Sequence, residues 1–404
     1  MCKRLILVFL IFMVLFSLVS CPGRSQYQVR VEEDSSKNEV IPFHYKDSYG
    51  LIDSSRNVIV APDSYMMISD NCRQYVLQET SLGSGDLSIL DATGKKLWTA
   101  SAWTSDLVWI SQKFLFMATY DDYNKKTYEM VEVSPFAIHS IPTVSRFIEN
   151  MVCTKFTQDD VEFPIAFIDW NQNPCKAAYY TADMEREVSV PFPTIHLMPM
   201  VDGAAVVVTD DFNLKVIDSN GNVIAEDIWD CGWNFTEGLL PVKFRDRSGF
   251  INNRGDFVFE CPISLDYYGY AQSPKGTPNL DCSFCEGLVY VPVSTTEWNV
   301  YDREGNCLAE GLGFVPRRGS AFRDGLLCVY DKDERHKYGY MDKYGKLKIP
   351  CIFIDANDFR GGYAMVVYNG KDALVDTEGN VFYSEDIVAG NKAPAFSVND
   401  FNLP

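Results

Sequence analysis

The sequence predicts an all-β protein of repeated antiparallel units, and it favours a β-propeller of about seven to eight blades over an open β-solenoid or two smaller β subdomains. Three observations lead to this prediction. A turn of the form apolar-apolar-Asp-x-x-Gly recurs at intervals of about forty residues. Short apolar runs flank most copies of this turn. The 404 residues are 47% hydrophobic and 14% aromatic, which is enough to build a large core.

The N-terminus has the parts of a secretory signal. Lys3 and Arg4 precede an uncharged stretch from Leu5 to Val19, and the small residue Ser20 stands directly before Cys21. The apolar stretch is short for a membrane-spanning helix, which needs about 20 such residues. We therefore expect residues 1–20 to be a signal peptide that is removed on export.

The residues Leu18-Val19-Ser20-Cys21 resemble the lipobox of bacterial lipoproteins. The resemblance implies lipid attachment at Cys21, with acyl chains such as palmitate, and an anchor in a membrane of the cell envelope. Residues 21–40 are polar and aperiodic, so they are expected to form a lipidated flexible tether. The alternative is an ordinary signal peptide with a cysteine there by chance. Which membrane and which side hold the protein stays open.

The charge balance bears on the partners. The formal net charge is −19, with 55 acidic residues against 36 basic ones. Nucleic acids bind through clustered Lys and Arg side chains, so no nucleic-acid partner is expected. Adhesion to anionic lipid by charge alone is disfavoured for the same reason, which leaves the lipid on Cys21 as the expected route to the membrane.

The repeated turn, here called the Asp turn, has a structural explanation. Its Asp accepts hydrogen bonds from the backbone that follows, and its Gly takes the positive φ of a tight hairpin. The clearest copies carry these two residues as Asp91 and Gly94, Asp218 and Gly221, Asp302 and Gly305, Asp342 and Gly345, and Asp376 and Gly379. Variant copies are Asn252 with Gly255, Asp53 with Arg56 in the glycine place, and Asp169 with Gln172 there. A diverged unit is expected near residues 132–135.

A second motif precedes the Asp turn in the C-terminal half of the chain. It consists of Phe, two residues, Gly and then Leu or Tyr, and its copies are Phe235–Leu239, Phe284–Leu288, Phe322–Leu326 and Phe359–Tyr363. An apolar run follows each copy, which predicts a further strand. Each unit would then hold three or four strands, as a propeller blade does.

The motifs also predict the domain organisation. The β-repeat domain is expected over residues 41–384, followed by a C-terminal tail over 385–404. Residues 100–165 match the repeat poorly. Residues 261–281 lengthen one interval and include a Pro- and Gly-rich segment, so they are expected to form an inserted loop.

Two copies of the repeat resemble the WG-repeat family. They are Tyr49-Gly50-Leu51-Ile52-Asp53 and Tyr338-Gly339-Tyr340-Met341-Asp342, the second followed by Gly345 and by Lys348-Ile349-Pro350. The resemblance is clearest over residues 200–384, although no copy has Trp before the Gly. The stretch Ser88–Trp98 is also similar to the repeats of quinoprotein-type propellers. Both resemblances imply repeated antiparallel β units, and neither implies catalytic residues or a cofactor.

Cysteine usage leaves two interpretations open. Without Cys2 and Cys21, ten of the 12 cysteines remain, scattered along the chain, either as disulfides of an oxidising compartment or as small buried residues. Cys282 and Cys285 have the spacing of half a zinc site, but a second pair is missing from the sequence. The Asp turns also lack the alternating carboxylates of a calcium loop. No metal is therefore expected.

Candidate binding residues are aromatic. The four histidines are isolated in sequence, and no nucleophile motif accompanies them, so no catalytic residues are predicted and the protein is expected not to be an enzyme. Trp98, Trp103, Trp229 and Trp233 could instead offer a stacking surface to a sugar or an apolar partner. The alternative for each of them is packing between neighbouring sheets.

These observations favour a membrane-tethered, non-enzymatic binding or scaffold module of the cell envelope, which holds a protein or glycan partner with loops on one face of a rigid array. One alternative is an envelope hydrolase that acts on glycans with paired carboxylates. Another, by analogy alone, is a role in outer-membrane assembly.

Overall fold

The structure is a computed structural model, and it describes residues 40–62, 67–70, 76–79, 87–91, 95–100, 104–109, 111, 113–120, 126–133, 136–141, 161–169, 175–265, 278–331 and 337–400. The predictions that concern the signal peptide, Cys21, the tether, Gly94 and Trp103 lie outside these residues.

Within the described residues, 34 strands form nine consecutive antiparallel sheets, numbered here 1 to 9 in chain order. Sheets 1 to 3 contain β1 (Ile41–Tyr45), β2 (Ser48–Ile52), β3 (Val58–Val60); β4 (Met67–Asp70), β5 (Val76–Glu79), β6 (Leu87–Leu90), β7 (Lys96–Ala100); and β8 (Thr104–Trp109), β9 (Phe114–Tyr120), β10 (Lys126–Val133), β11 (Phe136–Ile141). Sheets 4 to 6 contain β12 (Ile165–Asp169), β13 (Lys176–Tyr180), β14 (Glu187–Val190); β15 (Thr194–Leu197), β16 (Ala204–Thr209), β17 (Leu214–Asp218), β18 (Val223–Ile228); and β19 (Asp230–Cys231), β20 (Leu239–Lys243), β21 (Ser248–Asn252), β22 (Phe257–Glu260). Sheets 7 to 9 contain β23 (Leu288–Pro292), β24 (Trp298–Asp302), β25 (Cys307–Leu312); β26 (Val315–Pro316), β27 (Leu326–Tyr330), β28 (Tyr338–Asp342), β29 (Leu347–Phe353); and β30 (Asp355–Ala356), β31 (Tyr363–Tyr368), β32 (Lys371–Asp376), β33 (Asn380–Tyr383), β34 (Phe396–Ser397).

Helix is confined to the C-terminal end of the described chain, as the strand pattern predicts. Helix α1 (Ser384–Val388) follows β33, and a 3₁₀ turn (Val398–Asp400) follows β34. Because β34 pairs with β33, the segment predicted as a separate tail belongs to sheet 9 as far as residue 400. In the described part of the chain, none of the helices has the length and apolar character that crossing a membrane requires.

The sheets are joined into a ring by buried side chains. Each sheet shares a hydrophobic cluster with the next one along the chain, from sheet 1 to sheet 9. A ninth cluster joins sheet 9 back to sheet 1, with Phe43 and Ile52 on one side and Leu374 and Phe382 on the other. The repeated units therefore close on themselves as the blades of a propeller do, rather than forming an open solenoid or two subdomains.

The eight copies of the Asp turn and the diverged unit expected near residues 132–135 amount to nine units, and the described residues form nine sheets, against about seven to eight blades expected for the propeller. The diverged unit is sheet 3, which lies in the stretch that matches the repeat poorly. Its strands β10 and β11 pair on either side of residues 134–135, where a diverged unit was expected. Sheet 3 packs against sheets 2 and 4 through buried side chains, although its turn between β10 and β11 does not carry the Asp and Gly of the motif.

The sequence pattern assigns one copy of the Asp turn, at Asp169, to the wrong hairpin. Asp169 ends β12, the first of the three described strands in sheet 4, so it does not precede the outer strand as the other Asp turns do. The hairpin to the outer strand is Thr181–Arg186, where the amide of Met184 donates to the Thr181 carbonyl oxygen at 2.9 Å. Met184 has φ of 63° and takes the glycine place. The sequence pattern was misleading because neither residue of the motif is present there.

The inserted loop is described over residues 261–265 and 278–281. It lies between sheets 6 and 7, and among the described residues sheet 7 has no counterpart of the short first strand that sheets 5, 6, 8 and 9 have. Ile263 and Leu280 are buried against both neighbouring sheets. The insertion therefore occupies the place of a strand in the described part of this sheet.

The Gly of the aromatic-Gly pair is required by a close approach between strands. At Gly339, an added Cβ atom would lie 2.5 Å from the Ile349 carbonyl oxygen and 2.7 Å from the Cys351 amide nitrogen. The pairing of β28 with β29 shifts register next to this residue, which marks a β-bulge. An added Cβ at Gly249 would also lie too close to the Phe259 carbonyl oxygen. Glycine at this position of the repeat therefore leaves room for the β-bulge of the next strand.

Candidate functional site

The ring has two faces that differ in their connections. Successive antiparallel strands reverse direction, so the hairpins of a sheet alternate between its two ends. The Asp turns and the turns of the second motif lie at one end, here called the turn face. The remaining hairpins and the connections between sheets lie at the other end, here called the loop face.

On the turn face, the carboxylates of the Asp turns accept hydrogen bonds from the backbone. The Asp218 Oδ1 atom accepts hydrogen bonds from the amides of Asn220 and Asn222, both at 2.8 Å. Asp302 and Asp342 hold the residues two and four places on in the same way, at 2.8–3.1 Å. The glycines of these turns have positive φ, 81° at Gly221 and 75° at Gly345. These residues are structural, as the Asx-turn interpretation predicts.

The four copies of the second motif and the corresponding segment of sheet 5 form five two-residue turns, in sheets 5 to 9. Both central residues have positive φ, the signature of a type I′ turn, and the pairs are Asp202-Gly203, Glu237-Gly238, Glu286-Gly287, Asp324-Gly325 and Gly361-Gly362. Four of the five pairs begin with an acid. The sequence predicts the turn but not the use of its carboxylate.

The carboxylates of the two-residue turns link neighbouring sheets. Glu237 Oε2 accepts from the Gly287 amide at 3.0 Å, one sheet along. Glu286 accepts from the amides of Asp324 and Gly325, both at 2.9 Å. Asp324 Oδ2 accepts from the Gly362 amide at 2.7 Å. These acids are therefore engaged within the fold and are not a ligand site.

The described residues line three clefts. The largest of these three, of about 690 Å³, lies between sheets 6 and 7 and is called here the Trp229 cleft. A second, of about 460 Å³, follows sheet 4 and contains Asp169 and Glu187. The third, of about 250 Å³, lies where sheet 9 meets sheet 1 and contains Asp355 and Asp372. Each of these three clefts reaches the loop face, so the face with variable loops is the candidate surface for a ligand.

The Trp229 cleft is built from three connections. Trp229 joins sheet 5 to sheet 6, and its amide donates to the Lys243 carbonyl oxygen at 2.8 Å, which fixes the backbone beneath an indole ring that is 64% exposed. The start of the insertion forms the facing wall, because Lys243 Nζ donates to the Ile263 carbonyl oxygen at 2.8 Å. The cleft is lined by Trp229, Lys243, Phe244, Arg245, Ser248, Pro262, Ile263, Ser264, Leu265 and Val293.

The hairpin from Lys243 to Arg247 brings three cations to this cleft or beside it. Arg247 lies over the Phe257 ring at 4.1 Å and 3.6 Å from a Glu260 carboxylate oxygen. Arg245 is exposed, and among the described parts of the chain it has no ion-pair partner. Sequence reasoning missed these residues, although alternating cations in so acidic a chain are a readable signal.

A buried carboxylate lies behind the cleft. Asp230 Oδ1 accepts from the amides of Cys231 at 2.8 Å and Asn279 at 2.9 Å, so it fixes the returning end of the insertion. Burial raises the pKa of Asp230 to about 6, although these hydrogen bonds and the charge of Lys243 act in the opposite direction.

The three candidate tryptophans that the structure describes do not form one surface. Trp98 is 2% exposed and packs between sheets 2 and 3, so it is core, as the packing alternative predicts. Trp233 is half-buried against the cluster of sheets 5 and 6. Trp229 is the one that reaches a cleft among the described tryptophans.

The third cleft bears on the hydrolase alternative. Its Asp372 lies 3.0 Å from His44 Nδ1, across the boundary between sheets 9 and 1. Its Asp355 lies 3.8 Å from Arg317. Each acid therefore faces a basic side chain of a neighbouring sheet, sheet 1 for Asp372 and sheet 8 for Asp355.

None of the eight described cysteines forms a disulfide with another described cysteine. Five of the eight are buried, and burial raises the pKa of Cys261 and Cys285 to about 12. They fill the core as small apolar residues. Cys282 is buried in the cluster that joins sheets 6 and 7, Cys285 is buried just before β23, and no disulfide joins them.

Comparison with known proteins supports the repeat. Residues 338–371 match the family model of the WG containing repeat, which covers the third and fourth strands of sheet 8 and the first half of sheet 9. No curated protein matches the chain.

Several solved structures are similar in outline. A eukaryotic initiation factor is 12% identical and covers 90% of this chain and 96% of its own, with a TM-score of 0.46. An uncharacterised protein of Listeria monocytogenes is 10% identical, covers 80% of this chain and 95% of its own, and has a TM-score of 0.42. BamB from Moraxella catarrhalis is 11% identical, covers 78% of this chain and 95% of its own, and has a TM-score of 0.38. The description of the fold rests on the sheets themselves.

Proposed function

We propose that this protein is a non-enzymatic binding or scaffold module of the bacterial cell envelope, tethered through lipid on Cys21, which captures a protein or glycan partner in the Trp229 cleft. The observation that supports the proposal is an exposed indole ring in the largest described cleft, next to an unpaired arginine. Exposed Trp and Arg side chains are enriched among residues that dominate binding energy.

Site-specific photo-cross-linking in intact cells tests this use of the loop face. A photoreactive residue in place of Ser264, which lines the cleft, should give a discrete adduct. The same residue in place of Glu304, which lies on the turn face, is the matched control and should give none. Adducts at both positions, or at Glu304 alone, would contradict the proposal.

The indole of Trp229 should contribute to binding without supporting the fold. Trp229→Ala is expected to reduce the adduct at position 264 by roughly tenfold or more, with an unchanged melting temperature. Trp233→Ala is the contrasting variant, because it removes a half-buried side chain and should cost about 2 to 4 kcal/mol of unfolding free energy. An unchanged adduct in Trp229→Ala would count against this site.

The anchor has its own test. Cys21→Ala should abolish acylation and move the protein from the membrane fraction to the soluble envelope fraction, because the lipid would be the attachment. Mass spectrometry of the wild-type N-terminus measures the modification directly. A mature chain without lipid would overturn this part of the proposal and leave the binding face untouched.

A further inference from the structure

The Trp229 cleft has the opposite charge to the chain that contains it. The protein has 55 acidic and 36 basic residues, and both other clefts of the loop face contain two acids. The described lining of the Trp229 cleft contains Lys243 and Arg245 and no acid. A cleft of this charge in so acidic a surface is complementary to a negatively charged ligand.

The polar groups of this cleft are largely occupied by the fold. Lys243 Nζ donates to the Ile263 carbonyl oxygen, as described above. The Ser248 hydroxyl donates to the Cys261 carbonyl oxygen at 2.7 Å and accepts from the Ile263 amide at 3.2 Å. The Ser264 amide donates to the Pro292 carbonyl oxygen at 2.8 Å. Arg245 is thus the main group left to pair with a ligand.

The rest of the lining is apolar. Trp229, Phe244, Pro262, Ile263, Leu265 and Val293 surround the two cations. A sugar chain presents many hydroxyl groups and needs matching donors and acceptors, of which this cleft has few to spare. A peptide that combines an acid with a bulky apolar side chain fits both features of the lining.

Resting on the proposed function, we infer that the Trp229 cleft binds an acidic peptide segment of a partner protein, in which a carboxylate side chain pairs with Arg245 and a neighbouring apolar side chain packs on Trp229. On the turn face, by contrast, the carboxylates of Glu237, Glu286 and Asp324 already accept hydrogen bonds from backbone amides of the next sheet.

Fluorescence anisotropy with the full chain tests the inference. The probe is a fluorescein-labelled peptide of alternating Asp with Leu and Phe, and the comparison peptide has Asn in place of each Asp. The Asp peptide is expected to bind, to weaken as salt is raised, and to exceed the Asn peptide by tenfold or more in affinity. Unlabelled oligogalacturonate, an acidic glycan, is added as a competitor and should not displace it.

Two arginine variants complete the design. Arg245→Glu should lower the affinity for the Asp peptide by tenfold or more, whereas Arg254→Glu, an exposed arginine on the turn face of the same sheet, should leave it unchanged. Binding that both variants reduce equally, displacement by oligogalacturonate, or no binding of the Asp peptide would each overturn the inference. If the adduct at position 264 still forms in cells while the peptide fails to bind, the ligand class is wrong and the proposed function stands.

Discussion

At the scale of single residues, glycines of the turns meet two separate requirements. Gly255 has φ of 84°, and an added Cβ would lie 2.1 Å from the Ile224 carbonyl oxygen of the neighbouring sheet. Gly370 has φ of 75° but has no atom within 4 Å of such a Cβ. The pair therefore separates backbone strain from contact between sheets.

We expect Gly255→Ala to destabilise the fold by about 2 to 4 kcal/mol and Gly370→Ala by about 1 kcal/mol, because the second variant carries only the strain of a left-handed backbone. Chemical denaturation measures both. Equal losses would show that the carbonyl of Ile224 moves away without cost.

Asp230 makes stability depend on pH. Its pKa is about 6 in the folded protein and near 3.8 when unfolded, so the folded state binds the proton more tightly. The resulting stabilisation is fully present below about pH 4 and is lost as pH rises through 6. Asp230→Asn should remove this contribution and flatten the melting temperature between pH 4 and 7.

Asp218 provides the control of opposite sign. Burial favours its neutral form, but hydrogen bonds from Asn222 and Asn220 outweigh burial and lower its pKa. Its contribution is present above pH 3.8 and is lost as pH falls through the lowered value. Asp218→Asn should therefore affect acid stability and leave the interval from pH 5 to 7 unchanged. A persistent slope in that interval for Asp230→Asn would mean that another group titrates there.

At this scale, the roles of the turn residues could be predicted from the sequence, whereas the exposure of the aromatic side chains could not. The roles of Asp218, Gly221 and Asp342 could be predicted because an Asx turn is set by neighbours in the chain. The exposure of Trp229 and the burial of Trp98 could not, since both depend on which sheet packs beside each ring.

At the scale of elements, the two-residue turn acts as a connector between sheets. Glu286 holds both amides of the turn in sheet 8, which belong to Asp324 and Gly325. A turn of this type is predictable from its Gly, whereas its partner lies 38 residues away. Local sequence therefore predicts the hairpin and not the link.

Glu286→Ala should leave two turn amides to water and lower unfolding free energy by about 1 kcal/mol, the value of a hydrogen bond at an exposed site. Glu304→Ala, in the Asp turn of the same sheet, is the control and should change stability little. If the two variants have the same melting temperature, the hydrogen bonds from Glu286 to the next sheet contribute nothing measurable to stability.

At the scale of the whole molecule, the boundary between sheets 9 and 1 decides whether the ring stays closed. Arg56 stands in the glycine place of the first Asp turn at φ of 62°. Its guanidinium donates to the Tyr363 hydroxyl and to the Lys392 carbonyl oxygen, and lies 4.2 Å from the Phe382 ring centre. The departure from the motif thus has a use that the motif could not reveal.

Arg56→Gly should ease the turn and yet loosen the ring, because it removes these contacts. Hydrogen exchange is expected to rise in β1–β3 and β31–β33, with sheet 6 unchanged. Phe212→Gly, which also relieves a positive φ but is exposed on the loop face, should be neutral or stabilising. A stabilised, normally protected Arg56→Gly protein would show that the boundary does not depend on this residue.

Closure itself was foreseen as one of three arrangements, since a strand pattern does not state whether the last unit meets the first. The ninth cluster decides it, because it joins side chains of sheet 1 to side chains of sheet 9, which are far apart in sequence. The ninth unit could be expected only from the length of one interval, because sheet 3 kept its strands while losing its turn residues.

The described chain enters the ring at Val40 in sheet 1, while the Trp229 cleft opens between sheets 6 and 7, nearly half-way round. A domain attached at one point of its rim by a flexible tether can rotate about that point, and the parts far from the attachment move through the widest arc. On the proposed tether, the cleft would therefore search a larger volume than the sheets next to sheet 1, and a partner need not be brought to the base of the anchor.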